Sequence, residues 1–576
     1  MSESGPAQPR RATPSFRELF TPKLVTILRE GYGPAQFRAD AVAGLTVAIV
    51  ALPLSMAIAI ASGASPAQGL YTAIVGGFLV SALGGSRFQI GGPAGAFIVL
   101  VAATVQAHGI DGLILATALS GLILAALGLL RLGTYIKFIP YPVTVGFTAG
   151  IAVIIFASQL RELLGLTLPG PEPGPLLEKL PALWQGLPSL DAATVVLSLA
   201  TIATILGLKR LWPQVPGMLV AVAGTAAASA LLGLPVETIG TRFGGIPGSL
   251  PLPALPELSV AKAVAVLPSA LAFALLGSIE SLLSAVVADG MTGRRHRSNC
   301  ELLAQGVANV GSALFGGICV TGTIARTATN VRAGAHGPVA GILHAAFLLL
   351  FVLVAAPLAS FIPLASLAGV LAVVAWNMVE KQAFATLLRA SRGDAAVLLT
   401  TFGLTVFRDL TEAIVVGFAL GSVLFIHRMS KTTAIESHTP FVPEDRADSA
   451  NGGRRPYDEA TATDPDIVVY RISGAFFFGA AASIGSVLDR IADSHRVLVV
   501  DFAAVPFLDS TAANTLEGLA RKASQRGVRV LLAGTSAEVR RELVAHGIEP
   551  PRVTFARSIE EAVAEGRRSL AAPAGA

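Results

Sequence analysis

Long stretches of this chain carry no charged side chain, and this feature limits its possible folds more than any other. No Asp, Glu, Lys or Arg occurs in the 46 residues between Asp40 and Arg87. About 20 apolar residues are enough for a helix to cross a bilayer, so this stretch alone has room for two crossings. The sequence therefore predicts an integral membrane protein.

The composition agrees with this assignment and excludes several other classes. Hydrophobic residues make up 53% of the chain and charged residues only 14%, whereas soluble domains carry about 25% charged residues. The formal net charge of +5 lies largely in short loops, which indicates membrane topology and not nucleic-acid binding. Cys300 and Cys319 lack the spacing of zinc ligands, and we predict no metal and no cofactor.

Apolar runs continue through most of the chain and predict twelve to fourteen membrane crossings in all. After the first stretch they lie near 88–107, 112–130, 142–160, 190–208, 213–235, 264–288, 302–323, 338–358, 365–379, 395–407 and 411–427. The composition then changes, and residues 1–39 and everything after 430 are more polar. We divide the chain into an N-terminal cytoplasmic segment (1–39), a transmembrane transport domain (40–430), a linker (431–465), an α/β domain (466–566) and a tail (567–576).

The placement of Lys and Arg predicts the orientation. With the N-terminus inside and fourteen crossings, 17 basic residues fall on the cytoplasmic side and five on the outer side, as the positive-inside rule requires. The five outer residues are Arg161, Lys179, Arg242, Lys262 and Arg408. Both termini are then cytoplasmic. No cleavable signal peptide is expected, and the protein is placed in the inner (cytoplasmic) membrane.

One carboxyl group stands in an otherwise uncharged predicted helix. Glu280 is the only charged residue between Ala263 and Ala288. A carboxylate within the membrane is costly and usually faces a bundle interior or a watery cavity. We favour a proton or ion site on a transport path. The alternative is a polar contact between helices without a transport role.

Two glycine-rich breaks indicate an internal repeat. Residues 84–95 read GGSRFQIGGPAG, residues 316–330 read GGICVTGTIARTATN, and their Gly-Gly pairs are 232 residues apart. Matched interruptions of this kind mark inverted repeats, in which two half-helices direct their positive N-termini at an anion near the midplane. Arg326 would add a full positive charge. Close helix packing is the alternative explanation for the glycines.

Several motifs resemble those of the SulP anion-permease family, whose animal relatives include prestin. They are LTVAIVALP (45–53), GLYTA (69–73), GSIESLL (277–283), DGMTG (289–293) and ARTATN (325–330). The resemblance implies a membrane all-α fold of fourteen transmembrane segments in two inverted seven-segment repeats. It also implies a small α/β cytoplasmic STAS domain and assembly as a homodimer.

The same resemblance implies where the anion binds. The substrate-binding residues would be Gly92, Pro93, Ala94, Gly95, Ala96 and Phe97 of the first half-helix and Gly322, Thr323, Ile324, Ala325 and Arg326 of the second. Glu280 falls where family members keep an acidic residue for the coupling ion, and Ser284, one turn later, would share it. Ala325 replaces a frequent Ser and Leu54 a frequent Gln, which removes two polar contacts.

The resemblance is closest to bacterial members that handle four-carbon dicarboxylates, and it implies secondary-active, proton-coupled uptake of a dicarboxylate such as succinate or fumarate. Burial disfavours the charged form of a carboxyl group, so Glu280 would be protonated when the site is dry and the anion would enter with that proton. Sodium symport follows from the same logic if the carboxylate stays ionised. A sulfate or bicarbonate transporter, or an uncoupled channel-like permease, is the alternative.

The C-terminal region predicts a separate domain. Residues 467–472, 497–502 and 528–534 have strand patterns, and residues 481–492, 510–526 and 536–547 have helical ones. The Asp509-Ser510 pair opens a helix and resembles the STAS motif in which the Ser accepts phosphate. We favour helix capping, which leaves a regulatory phosphate and a cytoplasmic partner possible.

An enzyme and a sensor are two further functional classes for a membrane protein of this kind. An enzyme is not indicated, since neither a Gly-x-x-x-x-Gly-Lys loop nor a His-Glu-x-x-His motif is present. A sensor, with the membrane part anchoring a signalling domain, is the other alternative. The expected partners are a small inorganic or organic anion, a coupling proton or sodium ion and the lipid bilayer.

Overall fold

The structure, a computed structural model, contains two compact units, residues 1–418 and 419–576. It describes residues 15–134, 140–170, 172–212, 215–257, 259–408, 410–431, 434–437, 466–476 and 496–571. The predicted helix 481–492 and most of the predicted linker lie outside the described residues. Each unit is treated separately below.

The described part of the membrane unit is helical apart from one pair of two-residue strands. Its first half contains α1 (Phe16–Phe20), α2 (Lys23–Glu30), α3 (Pro34–Ala61), α4 (Pro66–Tyr71), α5 (Gly77–Leu83), α6 (Ile98–Leu129), α7 (Tyr141–Leu164), α8 (Leu176–Gly186), α9 (Ala192–Leu211), α10 (Gly217–Leu232) and α11 (Ile239–Phe243). Its second half contains α12 (Val260–Thr292), α13 (Ser298–Leu314), α14 (Ile324–Arg332), α15 (Val339–Ala359), α16 (Leu364–Met378), α17 (Lys381–Ala390) and α18 (Arg392–Phe407). A last helix, α19 (Leu410–Lys431), continues beyond the unit boundary.

Among the described residues, nine helical stretches are long and apolar enough to cross a membrane. This confirms the predicted class of membrane protein, whereas the number of crossings stays a prediction. The runs predicted near 88–107 and 112–130 form one helical element, interrupted at Gly109, whose φ of 70° is not helical. A glycine accommodates this angle without a Cβ clash, so the two predicted runs are joined without a loop.

Small residues allow the central helices to approach closely. α6 packs along both α12 and α13. At the α6–α13 contact, a Cβ on Gly121 would stand 2.6 Å from the carbonyl oxygen of Gly306, and a Cβ on Gly306 would stand equally close to that of Gly121. Such contacts between backbones are typical of membrane helices, where van der Waals packing drives association.

The order of elements repeats in the two halves. α3, α4–α5, a two-residue strand and α6 are followed later by α12, α13, a second two-residue strand and α14. The strands are β1 (Gly91–Gly92) and β2 (Thr321–Gly322), and they pair antiparallel, Gly91 with Gly322 and Gly92 with Thr321. Antiparallel pairing of matching segments agrees with an inverted repeat.

The second unit is an α/β domain, as predicted. Its strands are β3 (Ala434–Ser437), β4 (Ile467–Ser473), β5 (Val497–Ala504), β6 (Arg529–Ala533) and β7 (Val553–Ala556). They form one sheet in the order β3-β4-β5-β6-β7, parallel except for the antiparallel pair β3–β4. The described helices are Ser510–Gln525, Ala537–Ala545 and Ile559–Ala571.

Two details of this unit differ from the sequence interpretation. β3 lies within the segment that was interpreted as a linker, and the last helix continues into the segment that was interpreted as a tail. The polar composition of β3 prevented its recognition as a strand from the sequence. An edge strand of the sheet needs few apolar residues. The central strand β5 alternates between two buried faces, with Leu498 and Val500 on one and Val497 and Val499 on the other.

Candidate anion-binding site

The two predicted half-helices begin beside each other. The first starts as a 3₁₀ turn, Gly95–Phe97, that leads into α6, and the second is α14. The β1–β2 pair stands directly before both starts. No side chain caps either helix start: Ala94 has no suitable group, and the hydroxyl of Thr323 donates to the carbonyl of Ile90 at 3.2 Å. The free N–H groups at a helix start favour an anion.

Arg326 lies in the first turn of α14 and is almost completely buried, with 1% of its surface exposed. Its Nη2 donates to the hydroxyl of Ser55 on α3 at 3.3 Å and to the carbonyl oxygen of Pro93 at 3.2 Å. Nε and Nη1 have no hydrogen-bond partner in the part of the chain that the structure describes. Neither contact is with an acidic residue, so the guanidinium retains an uncompensated charge. A buried charge without a partner is unfavourable by several kcal/mol.

The backbone of β1 lies against this guanidinium. A Cβ on Gly92 would stand 2.2 Å from Nη1 of Arg326. Real Cβ contacts are longer than this, so a side chain at position 92 would require the guanidinium of Arg326 to shift from its observed position.

Hydroxyl groups of α12 hold the start of the second half-helix. The hydroxyls of Ser281 and Thr321 are 2.7 Å apart, and the N–H of Gly322 donates to Ser281 at 3.2 Å. One turn later, Ser284 donates to the hydroxyl of Thr327 at 3.0 Å. α12 therefore orients β2 and α14 through side-chain hydrogen bonds.

Glu280 stands on α12 as well, next to Ser281 in the chain. It is 8% exposed, and its carboxylate makes no hydrogen bond or ion pair with any described residue. One turn earlier, a Cβ on Gly277 would contact Phe97 at 3.6 Å, so this part of α12 faces the first half-helix. The carboxylate is thus enclosed in the protein, near both half-helices, without a fixed partner.

The sharing of a coupling ion between Ser284 and Glu280 stays a prediction, and the structure shows where the Ser284 hydroxyl donates. The Ser284 hydroxyl proton is directed to Thr327, so Ser284 is not a donor to Glu280 in this conformation. Spacing by four residues brings two side chains to one helix face, but a neighbouring helix then competes for the hydroxyl. Sequence spacing alone does not decide that competition.

The remaining predicted substrate-binding residues are distributed unevenly. Ala94, Ala96 and Phe97 are buried, and the ring centroids of Phe97 and Phe273 are 6.0 Å apart. In the second half-helix Thr323 is buried, Ile324 is half-buried and Ala325 is exposed. Ala325 therefore does not share the buried environment of Arg326. The N-termini of the two half-helices lie beside each other, but the predicted binding residues in them differ in burial.

Sequence reasoning missed a second buried carboxyl group. Glu301 on α13 is completely buried, and its Oε2 accepts hydrogen bonds from the N–H groups of Gly85 (2.8 Å) and Ser86 (3.0 Å). Its Oε1 accepts from the side chains of Gln89 (2.8 Å) and Gln305 (3.1 Å). Glu301 therefore fixes the loop that leads into β1. The spacing of four residues between Glu301 and Gln305, which brings both side chains to one face of α13, was the available signal in the sequence.

Elsewhere the polar groups have structural roles. Within the described ranges, no group of three or more His, Cys, Asp or Glu residues is placed to hold a metal ion. In the α/β unit, the Asp509 carboxylate accepts from the N–H of Ala512 at 2.9 Å, which confirms the predicted cap. Ser510 is exposed and donates to Glu542 at 3.3 Å.

Comparison with known proteins identifies the family. Residues 37–401 match the sulfate permease family, and residues 460–562 match the STAS domain. The chain belongs to the sulfate permease family. Its curated relatives include the putative sulfate transporter YvdB of Bacillus subtilis, 38% identical over 90% of this chain and 95% of that protein. The bicarbonate transporter BicA of Picosynechococcus is 31% identical over 88% of this chain and 90% of that protein.

Solved structures share the fold of this sulfate permease family member. The murine solute carrier 26 family member A9 anion transporter, in its inward-facing state, superposes with a TM-score of 0.83. The alignment covers 97% of this chain and 96% of that one at 18% identity. The transmembrane domain of a cyanobacterial BicA aligns with a TM-score of 0.59 at 30% identity, over 68% of this chain and 98% of that one.

Family membership confirms the broader predictions from sequence. The chain is a multi-pass membrane protein of a transporter family and carries a STAS domain, and it is not an enzyme. The substrate, the coupling ion, the site residues and the dimer remain predictions, which we develop next.

Proposed function

We propose that the protein is a secondary-active anion transporter of the cytoplasmic membrane, with both termini in the cytoplasm. The observation that carries the proposal is the buried guanidinium of Arg326, which has two nitrogens without a described partner and lies beside two uncapped helix starts. An anion would supply hydrogen-bond partners both for the guanidinium and for the uncapped helix starts. A guanidinium offers parallel N–H donors that suit two oxygens of one anion.

An inorganic oxyanion, sulfate or bicarbonate, is the substrate that we favour. The relatives named above are described as sulfate and bicarbonate transporters, and both anions present paired oxygens to a guanidinium. The sequence interpretation favoured a four-carbon dicarboxylate, which receives no support from these relatives. Succinate and fumarate therefore become comparison substrates in the transport assay.

Glu280 is the proposed coupling residue. It is enclosed, has no fixed partner among the described side chains and stands on the helix that orients the second half-helix. An anion is repelled by an ionised carboxylate beside it, so loading favours the protonated form. Anion and proton then move together, which gives symport. A sodium ion on the ionised carboxylate is the second candidate for the coupling ion.

The assembly follows the family resemblance. We propose a homodimer in which the STAS unit lies in the cytoplasm and contacts a regulatory partner. The exposed Ser510 is accessible to modification, but its neighbour Glu542 would repel a phosphate. A function limited to sensing is the alternative, and it predicts no flux at all.

Uptake of radiolabelled sulfate and bicarbonate into proteoliposomes tests the proposal. We expect accumulation that depends on a proton gradient, and sodium-dependent accumulation would identify sodium as the coupling ion. Arg326→Gln should abolish uptake, while the matched variant Arg332→Gln, which removes an exposed charge from the other end of α14, should retain it.

Glu280→Gln separates coupling from binding. The variant should lose gradient-driven accumulation but keep at least part of its anion binding, measured by isothermal titration. Unchanged accumulation would remove Glu280 from the coupling role. Uptake by the wild type that ignores both gradients would indicate a channel-like mode, and no flux of any anion would refute the transporter proposal.

A further inference from the structure

A cavity of about 860 Å³ opens among the helix ends on the side predicted to be outside. Ala61 ends α3, Arg161 lies in the last turn of α7, Leu364 begins α16 and Arg408 follows α18, and all four line the cavity. Arg161, Arg242 and Arg408 belong to the few basic residues that the topology places outside. The positive-inside rule keeps Lys and Arg scarce there, so their concentration around one cavity needs a reason.

The cavity wall is positively charged. Four basic side chains line it, against two acidic ones, Glu162 and Glu172. Three of the basic side chains have acidic partners: Lys179 with Glu172 (2.9 Å), Arg242 with Glu162 (2.7 Å) and Arg408 with Glu412 (3.5 Å). Arg161 is the remaining basic residue of the wall.

Arg161 forms no salt bridge and no side-chain hydrogen bond with any residue in the described ranges. It is half-buried, and the preceding residues Ser158 and Gln159 on α7 also line the cavity. Gln159 is buried, and its amide donates to the Ser158 hydroxyl at 2.9 Å. The cavity therefore combines one uncompensated guanidinium with neutral polar groups, an arrangement that suits a hydrated anion.

The floor of the cavity lies close to the proposed binding site. Ala57 and Ile98 line it. Ala57 follows Ser55, the partner of Arg326, by two residues on α3, and Ile98 directly follows Phe97 of the first half-helix. None of the predicted substrate-binding residues lines the cavity itself. The cavity is therefore separate from the site, but two of its lining residues lie one or two positions from site residues in the chain.

We propose that this cavity is an outer capture site for the transported anion and that Arg161 is the residue that attracts it. The proposal rests on the proposed function. Low-dielectric walls that carry one sign of charge concentrate counter-ions and raise their local concentration. An anion that pairs with Arg161 leaves the three existing ion pairs intact.

The test compares transport from the two sides of the membrane. Uptake by intact cells reports the external KM for radiolabelled sulfate or bicarbonate, and inside-out vesicles report the cytoplasmic KM. Arg161→Gln should raise the external KM roughly fivefold, as expected for one charge near a solvated ion, and leave the cytoplasmic KM unchanged. Arg161→Lys keeps the charge and should restore the external KM.

Lys262→Gln is the matched control, because Lys262 is an exposed cation of the same predicted face, paired with Glu257 and outside the cavity. An equal rise of the external KM in this control, or a rise on both sides in Arg161→Gln, would overturn the inference. A rise confined to the cytoplasmic side would overturn it as well.

A measurement on the wild type supports the test if Arg161→Gln folds poorly. Added salt screens a capture charge over a Debye length of about 10 Å at 0.1 M, so the external KM should rise with ionic strength more than the cytoplasmic KM does. Equal salt dependence on both sides would contradict the inference. A wild type that transports no anion would instead refute the proposed function itself.

Discussion

Replacing Gly92 by alanine should weaken anion binding without changing any charge. The added Cβ would stand 2.2 Å from Nη1 of Arg326, whereas ordinary contacts begin near 3.4 Å, so the guanidinium must retreat by the difference, about 1.2 Å. Its Nη2 is already held by Ser55 and Pro93. A shift of Nη1 therefore changes the position or tilt of the guanidinium and strains these two hydrogen bonds.

The size of the effect follows from the hydrogen bonds at stake. A hydrogen bond to a charged group contributes about 1.5–3 kcal/mol, and each 1.4 kcal/mol corresponds to about a tenfold change in affinity. Loss of one such bond to the anion should raise KM by roughly 10- to 100-fold in Gly92→Ala. Proteoliposome uptake over a range of anion concentrations measures this change.

Gly95→Ala is the matched control in the same half-helix start. Its Cβ would meet Ile155 at 3.5 Å and Met378 at 3.6 Å, which are ordinary van der Waals distances. Because Gly95 is itself a predicted substrate-binding residue but its Cβ would meet no atom of Arg326, we expect KM to rise less than in Gly92→Ala. A wild-type KM in Gly92→Ala would refute the reasoning. An equal loss in both variants would assign the effect to backbone flexibility instead of to Arg326.

Three further predictions concern stability. Glu301→Gln turns one acceptor oxygen into a donor that faces existing donors. The unfolding free energy should fall by about 2–4 kcal/mol, which lowers the melting temperature in detergent. An unchanged melting temperature would contradict the role of Glu301 in fixing the loop before β1. The hydrogen bond from buried Arg87 lowers the pKa of Glu30 in the folded protein. A carboxyl group with a lowered pKa stabilises the folded state at pH values above its unfolded-state pKa, and this stability is lost as the pH falls through its folded-state pKa. Glu30→Gln should therefore melt below the wild type at neutral pH, and a gap that stays constant in acid would count against this pair. Asp509→Ala should cost about 1 kcal/mol and speed amide exchange in residues 510–525, and unchanged exchange would show that the cap is dispensable.

The sequence alone was sufficient for the architecture, because the constraints on it are local. A crossing helix must be long and apolar, so the first uncharged stretch became α3 and the α4–α5 helices. A half-helix needs a backbone break, so the glycine-rich segments were recognised without coordinates. Apolar strand patterns likewise predicted β4, β5 and β6 of the α/β unit. The family motifs then supplied the site residues, which stay predictions.

Tertiary structure decided which groups are partners, because those groups are far apart in the chain. Arg326 bonds to Ser55 and to the carbonyl of Pro93, 271 and 233 residues away. No periodicity encodes which hydroxyl Ser284 selects, and it bonds to Thr327 instead of Glu280. A local pattern specifies the conformation of one segment, whereas a hydrogen bond between segments depends on how the helices pack. The packing therefore determines that two nitrogens of Arg326 have no partner among the described residues, and the sequence determined that an arginine stands there.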